Sequence, residues 1–262
     1  MENCAIGVLC GVADCTLLQP TNYWKNAKQQ GLPFTLDARK LYRGYAINTI
    51  QNGLCVMSQF FLAGVLKNAI TGGIDRPLGK GETIASAIGA GAISSLFAGP
   101  AELVMIQQQV KGGGLFSTAG NLISKGPSTV FRGTIGMMYR EGLYAGGFLG
   151  FIPVVREEVK KRNPGMSNDQ ARLAATLLAG PIMSIASHPP DTLKTCLQGD
   201  IERSRYTTYR QAAKVLISER GISTLWAGAP WRIFRQFCCF MLFDKINTDV
   251  APLLFPHAFA KK

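Results

Sequence analysis

Gln19-Pro20-Thr21-Asn22-Tyr23-Trp24-Lys25, Gly99-Pro100-Ala101-Glu102-Leu103-Val104-Met105 and Pro189-Pro190-Asp191-Thr192-Leu193-Lys194 are three versions of one block. Their prolines, Pro20, Pro100 and Pro189, lie 80 and 89 residues apart, and a glutamine follows each at the same offset, at Gln29, Gln109 and Gln198. A second block trails each of the first: Leu41-Tyr42-Arg43-Gly44, Val130-Phe131-Arg132-Gly133 and Leu225-Trp226-Ala227-Gly228, an aromatic, usually a base, then glycine. Its glycines are spaced 89 and 95 residues apart, so two independent signals share one period. A shared period marks a tandem repeat, and it divides the chain into units at 1–80, 81–165 and 166–262.

Each proline block closes a long apolar helix with small residues on one face: Gly7 and Gly11, then Gly91, Ser95 and Gly99, then Ala175 and Ala179. Small side chains one turn apart let helix backbones approach closely in lipid, where hydrophobicity no longer drives association. Each glycine block opens another apolar stretch, at 45–68, 134–156 and 229–248. At about 1.5 Å per residue such stretches span a hydrocarbon core of about 30 Å. A proline inside a helix removes one backbone hydrogen bond and bends the rod. Membrane helices tolerate this where neighbours or water satisfy the freed carbonyl. Three bends at one depth would draw three helices together at one end of the bundle.

Composition agrees with burial in a membrane. Hydrophobic residues make up 47% of the chain and charged ones 17%, yet the net charge is +12. The bases cluster at 39–43, 156–162 and 203–220, between the apolar stretches rather than within them. Anionic lipid headgroups satisfy such a rim, and no helix interleaves bases with aromatics as a nucleic-acid reader would. Seven cysteines, at 4, 10, 15, 55, 196, 238 and 239, show no C-x-x-C spacing and no histidine at ligand spacing, so no metal site is expected. His188 and His257 are isolated, no nucleophile and base recur at useful spacing, and neither an enzyme nor a cofactor is expected. No Arg-rich leader precedes the first apolar helix, which places any targeting signal inside the chain.

The two triplicated blocks resemble those of the mitochondrial carrier family, with its P-x-[DE]-x-x-[KR] signature at the end of each odd helix and an aromatic-basic-glycine block after the matrix helix. The resemblance implies an all-α membrane protein with six transmembrane helices in three tandem two-helix repeats, short matrix helices and a threefold pseudosymmetric barrel. It implies a multi-pass protein of the mitochondrial inner membrane, one central site opened alternately to each side, and cardiolipin as a lipid partner. Repeat one departs from the pattern. Only thirteen residues lie between Gln30 and Gly44, too few for the usual matrix helix and its loops.

In the family, the acid of each signature pairs with the base of the next, and the three pairs close the matrix side. The acid positions here are Asn22, Glu102 and Asp191, and the base positions are Lys25, Met105 and Lys194. The resemblance therefore implies Glu102–Lys194 and Asp191–Lys25 pairs, with Gln29, Gln109 and Gln198 bracing them from below. Asn22 and Met105 have lost charge together, which is the cheap way to lose a buried pair, because removing one partner strands the other. The alternative is that these groups only satisfy one another at a buried bend and nothing opens. On the opposite side only Phe243-Asp244 resembles the family's second gate. Lys67 and Arg156 stand without the matching acids.

Family substrate contacts fall about seven residues past each second-block glycine, which gives Gln51, Arg140 and Arg235, with Arg232 one turn earlier as a rival. An intramembrane arginine is costly unless it faces a cavity or a counter-ion, and a guanidinium fork matches a carboxylate with two bonds. For Arg140 an ion pair with Glu141, or a bond to a neighbouring carbonyl, is the alternative. The first even helix presents Gln51, Cys55 and Gln59 on one face with no charge, and Leu54 stands where the family usually has proline. Arg140-Glu141 is similar to the amino-acid carriers, whereas PAELVMIQQQ at 100–109 and REGLYAGGFLGF at 140–151 look like the citrate and 2-oxoglutarate branch, the longer match. The signature of the adenine-nucleotide exchanger is absent.

Two functional classes follow. One is an antiporter for small anionic metabolites, di- or tricarboxylates or oxo acids, with amino acids as a second alternative. The other is a carrier fold kept as a structural subunit of a large inner-membrane complex, with little or no transport.

Overall fold

A computed structural model describes residues 2–74 and 76–246, with side chains described throughout except at 2–9, 148–150, 240 and 243–245. The described elements are all helical. They run α1 (Glu2–Gln30), α2 (Ala38–Leu41), α3 (Tyr45–Thr71), α4 (Lys80–Lys111), α5 (Leu115–Ser124), α6 (Pro127–Val130) and α7 (Thr134–Ala145). A π-helical segment (Gly146–Phe151) follows, then α8 (Ile152–Arg162), α9 (Asn168–Ala186), α10 (His188–Gly199), α11 (Tyr209–Arg220), a 3-10 turn (Ile222–Trp226) and α12 (Ala229–Lys245).

Six rods emerge from that order: α1, α3, α4, the α7–π–α8 run, the α9–α10 run and α12. Each packs on the next, and α12 packs back on α1, so the rods close a ring. Three of them, α1, α4 and α10, also touch one another, which places the constriction at the ends carrying the proline blocks. The six helical rods expected from the repeats are therefore present as a closed bundle. By length and composition, the spans containing α3 and α4 are apolar enough to cross a membrane. Their outward faces carry Met57, Phe60, Phe61, Leu96 and Phe97, all exposed, as lipid-facing residues of such a bundle must be.

The second-block glycines show why the unit repeats. Gly44, Gly133 and Gly228 all have left-handed backbones, with φ of 76°, 85° and 84°. A Cβ at Gly44 would lie 3.0 Å from Met105 Cγ, one at Gly133 3.1 Å from Lys194 Cγ, and one at Gly228 3.1 Å from Lys25 Cγ. Each glycine thus seats on the signature's base position in the following repeat, and the third seats on the first. Only glycine combines that φ with that proximity.

The small-residue faces are used unevenly. Gly91 lies so close to α7 that a Cβ would collide with the Glu141 carbonyl and stand 2.6 Å from Ala145 Cβ. Ala175 and Ala179 are buried against Ile152. Gly11, by contrast, has no atom within 4 Å of its would-be Cβ and is not a close-packing position. Gly7 lies outside the described side chains.

Local chemistry sets the helix ends. Helices α1 and α4 run unbroken through Pro20 and Pro100, whereas the third odd rod ends at Ala186 and restarts at His188, immediately before Pro189-Pro190. Two successive prolines remove two donors and crowd the preceding turn, so continuity fails where a single proline allows it. Ser167 and Gln170 form a reciprocal capping box at the start of α9. The first repeat's matrix helix shrinks to the four residues of α2, against ten in α5 and twelve in α11. In α11, burial pushes the Tyr209 hydroxyl up to about 12, so it stays protonated and donates to the Gly133 carbonyl (2.8 Å) while accepting from Gly136 N–H (2.8 Å).

Candidate functional site

The three proline blocks meet as a ring of acid and base positions. Lys25 Nζ contacts Asp191 Oδ2 at 2.8 Å, and Lys194 Nζ contacts Glu102 Oε1 at 2.7 Å. Asn22 and Met105 occupy the third position together, the Asn22 amide donating to Met105 Sδ at 3.6 Å. All three pairs run from one repeat to the next in the same sense. Lys194 and Asp191 are wholly buried and Glu102 is 3% exposed. Breaking such a pair by removing one partner costs on the order of 3–5 kcal/mol, because an uncompensated charge remains.

The glutamines do not act alike. Gln29 Nε2 donates to Asp191 Oδ2 at 2.9 Å and to Thr192 Oγ1 at 3.2 Å, under the Lys25 pair. Gln109 accepts from Asn26 at 2.7 Å and touches no ion pair, because its own ring position is the uncharged one. Gln198 donates to the Arg132 carbonyl at 3.3 Å rather than to the Glu102–Lys194 pair. The expectation of three braces is therefore corrected to one. At Gln198 the cause is local: both Glu102 oxygens are already occupied by other donors, and Gly133 presses on the Gln198 stem.

Those other donors belong to Arg140. Its Nη1 contacts Glu102 Oε1 at 2.6 Å and Asp191 Oδ1 at 3.0 Å, and its Nη2 contacts Glu102 Oε2 at 3.1 Å and Glu141 Oε1 at 2.6 Å. Nε donates to Glu141 at 2.8 Å. All three guanidinium nitrogens are thus engaged by three carboxylates, through four hydrogen bonds and the close Nη2–Glu141 ion contact. The sequence alternative of an Arg140–Glu141 pair is present, but it is part of a larger cluster that also takes in both surviving ring acids.

Glu141 carries the cluster toward α3. Its Oε2 accepts from Gln59 Nε2 at 3.0 Å and from Cys55 Sγ at 3.4 Å, and Cys55 lies 3.9 Å from Ser94 Oγ on α4. Gln51 is buried on the same helix but makes none of these bonds. The uncharged face of α3 therefore serves as a donor face for an acid on α7.

On α12 the two arginines separate. Arg235 Nη2 pairs with Asp14 on α1, leaving Arg235 Nε and Asp14 Oδ1 buried without a partner. Arg232 Nη2 donates to Ser187 Oγ at 2.9 Å, and its Nη1 is buried with no partner. Asp14 was missed in the sequence. It lies six residues before Pro20, and the same offset from Pro100 gives Ser94, which is also buried, so the repeat arithmetic could have found it. Asp244, on the opposite gate, lies outside the described side chains.

A family profile described as "Mitochondrial carrier protein" matches residues 167–249. The probable mitochondrial 2-oxodicarboxylate carrier of Dictyostelium discoideum is 22% identical over 257 residues, covering 89% of this chain and 84% of that one. In its last third, and in these relatives, the chain is similar to the mitochondrial carrier family. Carrier-family relatives of this kind are multi-pass proteins of the mitochondrial inner membrane. The chain is similar as well to the mitochondrial glycine transporter of Laccaria bicolor, 31% identical over 120 residues, 45% of this chain and 38% of that one. The mitochondrial arginine transporter BAC2 of Arabidopsis thaliana is 28% identical over 155 residues, 57% of this chain and 52% of that protein. In these two matches the chain spans about half, or less, of its relatives' length.

Proposed function

We propose that this carrier-like chain exchanges small anionic metabolites, di- or tricarboxylates or oxo acids, across the inner membrane by alternating access. The observation that carries the reading is the pair of half-buried arginines on α12, which line a closed helical ring and each keep one buried guanidinium donor, Arg232 Nη1 and Arg235 Nε, that no protein group satisfies. A buried cation in a membrane bundle needs a counter-ion or a wet cavity, and a cargo carboxylate supplies the first while passing through the second. Arg232 and Arg235 are the proposed anion contacts, with Gln51, Cys55, Gln59 and Glu141 on the facing helices. The two ion pairs Lys25–Asp191 and Lys194–Glu102, braced at Gln29, form the matrix gate. The similarity to a protein named as a 2-oxodicarboxylate carrier over most of the chain supports carboxylates. The basic rim would meet anionic lipid, cardiolipin in this membrane. The repeat units are taken as 1–80, 81–165 and 166–262.

One observation favours the second reading, a non-transporting subunit of a larger inner-membrane complex. The Asn22–Met105 ring position is uncharged and every guanidinium nitrogen of Arg140 is engaged by a carboxylate, which suits a bundle that stays shut. Exchange of labelled 2-oxoglutarate, citrate, glycine and arginine by the purified protein in liposomes separates the two. Saturable counter-exchange of a carboxylate is expected, reduced at least about tenfold in Arg232→Ala, because a charge-assisted bond is lost. No exchange of any of these solutes, with stable co-purification in a large complex, would establish the structural role instead.

A further inference from the structure

The ring has lost one acid–base pair at Asn22 and Met105, and one acid–base pair that the signature does not supply, Arg140 and Glu141, stands directly against it. We infer that Arg140 is the latch of the matrix gate: a cation contributed by an even helix that replaces the missing inter-repeat bridge by tying the two surviving ring acids together. This rests on reading the ring as a gate, and it assigns Arg140 to closure rather than to cargo.

Three observations converge. The charges balance, since Lys25, Lys194 and Arg140 face Glu102, Asp191 and Glu141. The geometry is directed, because Arg140 makes a two-bond fork on Glu102 from α4 and reaches Asp191 on α10 with the same Nη1. A single side chain therefore joins both surviving bridges and anchors them to α7. Finally, no nitrogen of Arg140 is left unpartnered for a cargo while the gate is shut, in contrast to Arg232. Glu141 has a matching role as a positioning residue: it holds Nε and Nη2, and is itself fixed from α3 by Gln59 and Cys55.

The proposal is tested by moving the charge pair back to where the signature would have it. Asn22 and Met105 already touch, and the Met105 stem meets Gly44 much as the Lys25 and Lys194 stems meet Gly228 and Gly133, so Asp and Lys fit those positions. Thermal unfolding of the detergent-purified, cargo-free protein is the readout, followed by liposome exchange. Arg140→Ala should lower Tm by about 5 °C or more, because three carboxylates then face two cations. Asn22→Asp with Met105→Lys should raise Tm in the native background, and Met105→Lys alone, which returns the cations to three, should restore most of the loss in the Arg140→Ala background.

An unchanged Tm in Arg140→Ala overturns the latch, as does a loss that Met105→Lys fails to restore. If Arg140→Ala does not fold, the native-background Asn22→Asp/Met105→Lys variant decides alone: a Tm that stays level or falls overturns the idea. Because Tm is read without cargo, a protein that exchanges nothing can still show the latch. A protein that exchanges normally can equally lack it.

Discussion

A lysine or arginine inside a bundle is stable only with its counter-charge in place, and the ring shows how tightly that rule binds single residues. Glu102 serves Lys194 and Arg140 at once, so its loss takes a carboxylate from two cations while the loss of Asn22 or Met105 takes none. Glycine positions carry a comparable demand. Gly133 has φ of 85° and a would-be Cβ 2.7 Å from Gln198 Cγ, whereas Gly126 has φ of 89° and open space around it. We expect Gly133→Ala to cost about 1–3 kcal/mol for its left-handed backbone and more for the collision, and Gly126→Ala to cost the backbone share alone. Chemical or thermal unfolding of the two variants should rank them in that order, and equal losses would show that the seat on Lys194 is unimportant. Residues of this kind were legible because they recur in register. Arg140's partners were not, since nothing in a linear string says which of three acids a five-donor side chain will reach.

At the scale of elements, the third odd rod differs from the other two in breaking at Ser187, and its far end, already bonded by Gln107 of α4, is also gripped by the loop that follows it. Asp200 caps that end. Its carboxylate accepts from the backbone N–H of Arg205 (2.7 Å), Tyr206 (2.7 Å) and Ser204 (3.1 Å), and from the Ser204 hydroxyl (2.9 Å). Burial alone would push this carboxyl up, but the bonds from Tyr206, Arg205 and Ser204 outweigh it and hold it below the ordinary value. A depressed folded value means that the bonds stabilise the loop at pH above the unfolded value of about 3.9 and that this is lost as pH falls through the folded one. Amide exchange at Ser204–Tyr206, corrected for the intrinsic rate, should therefore stay slow from neutral pH down to about 4 and quicken below it. In Asp200→Ala it should be fast throughout, and slow exchange in that variant would dismiss the cap. The shortness of α2 was readable from thirteen residues of spacing, while the π-helical segment was not. It lies where Gly146 and Gly147 press on Ile88 and Met183, and a register change of one residue leaves no periodic trace in so apolar a run.

Across the whole molecule, the ring is only as closed as the seam between its first and last rods. Asp14 on α1 and Arg235 on α12 join there, 221 residues apart in sequence, and both are largely shielded from solvent. Asp14→Ala should lower stability by about 3–5 kcal/mol by stranding Arg235, whereas Asp14→Ala combined with Arg235→Met should recover most of it. A thermal ranking in which the double variant is no better than the single would refute the seam as an ion pair.

By itself the sequence determined the repeat, the six rods, the membrane setting and the two ring bridges, because each depends on composition or on a pattern copied three times, and periodic constraints survive being written in one dimension. Tertiary structure alone decided where the unpaired charges went: that Gln198 turns away from its bridge, that Arg140 spans both ring acids, and that Asp14 claims Arg235. Those choices are competitions among several charged groups brought within a few ångströms by different helices, and in a low-dielectric interior the winner is set by distance, which only the folded ring defines.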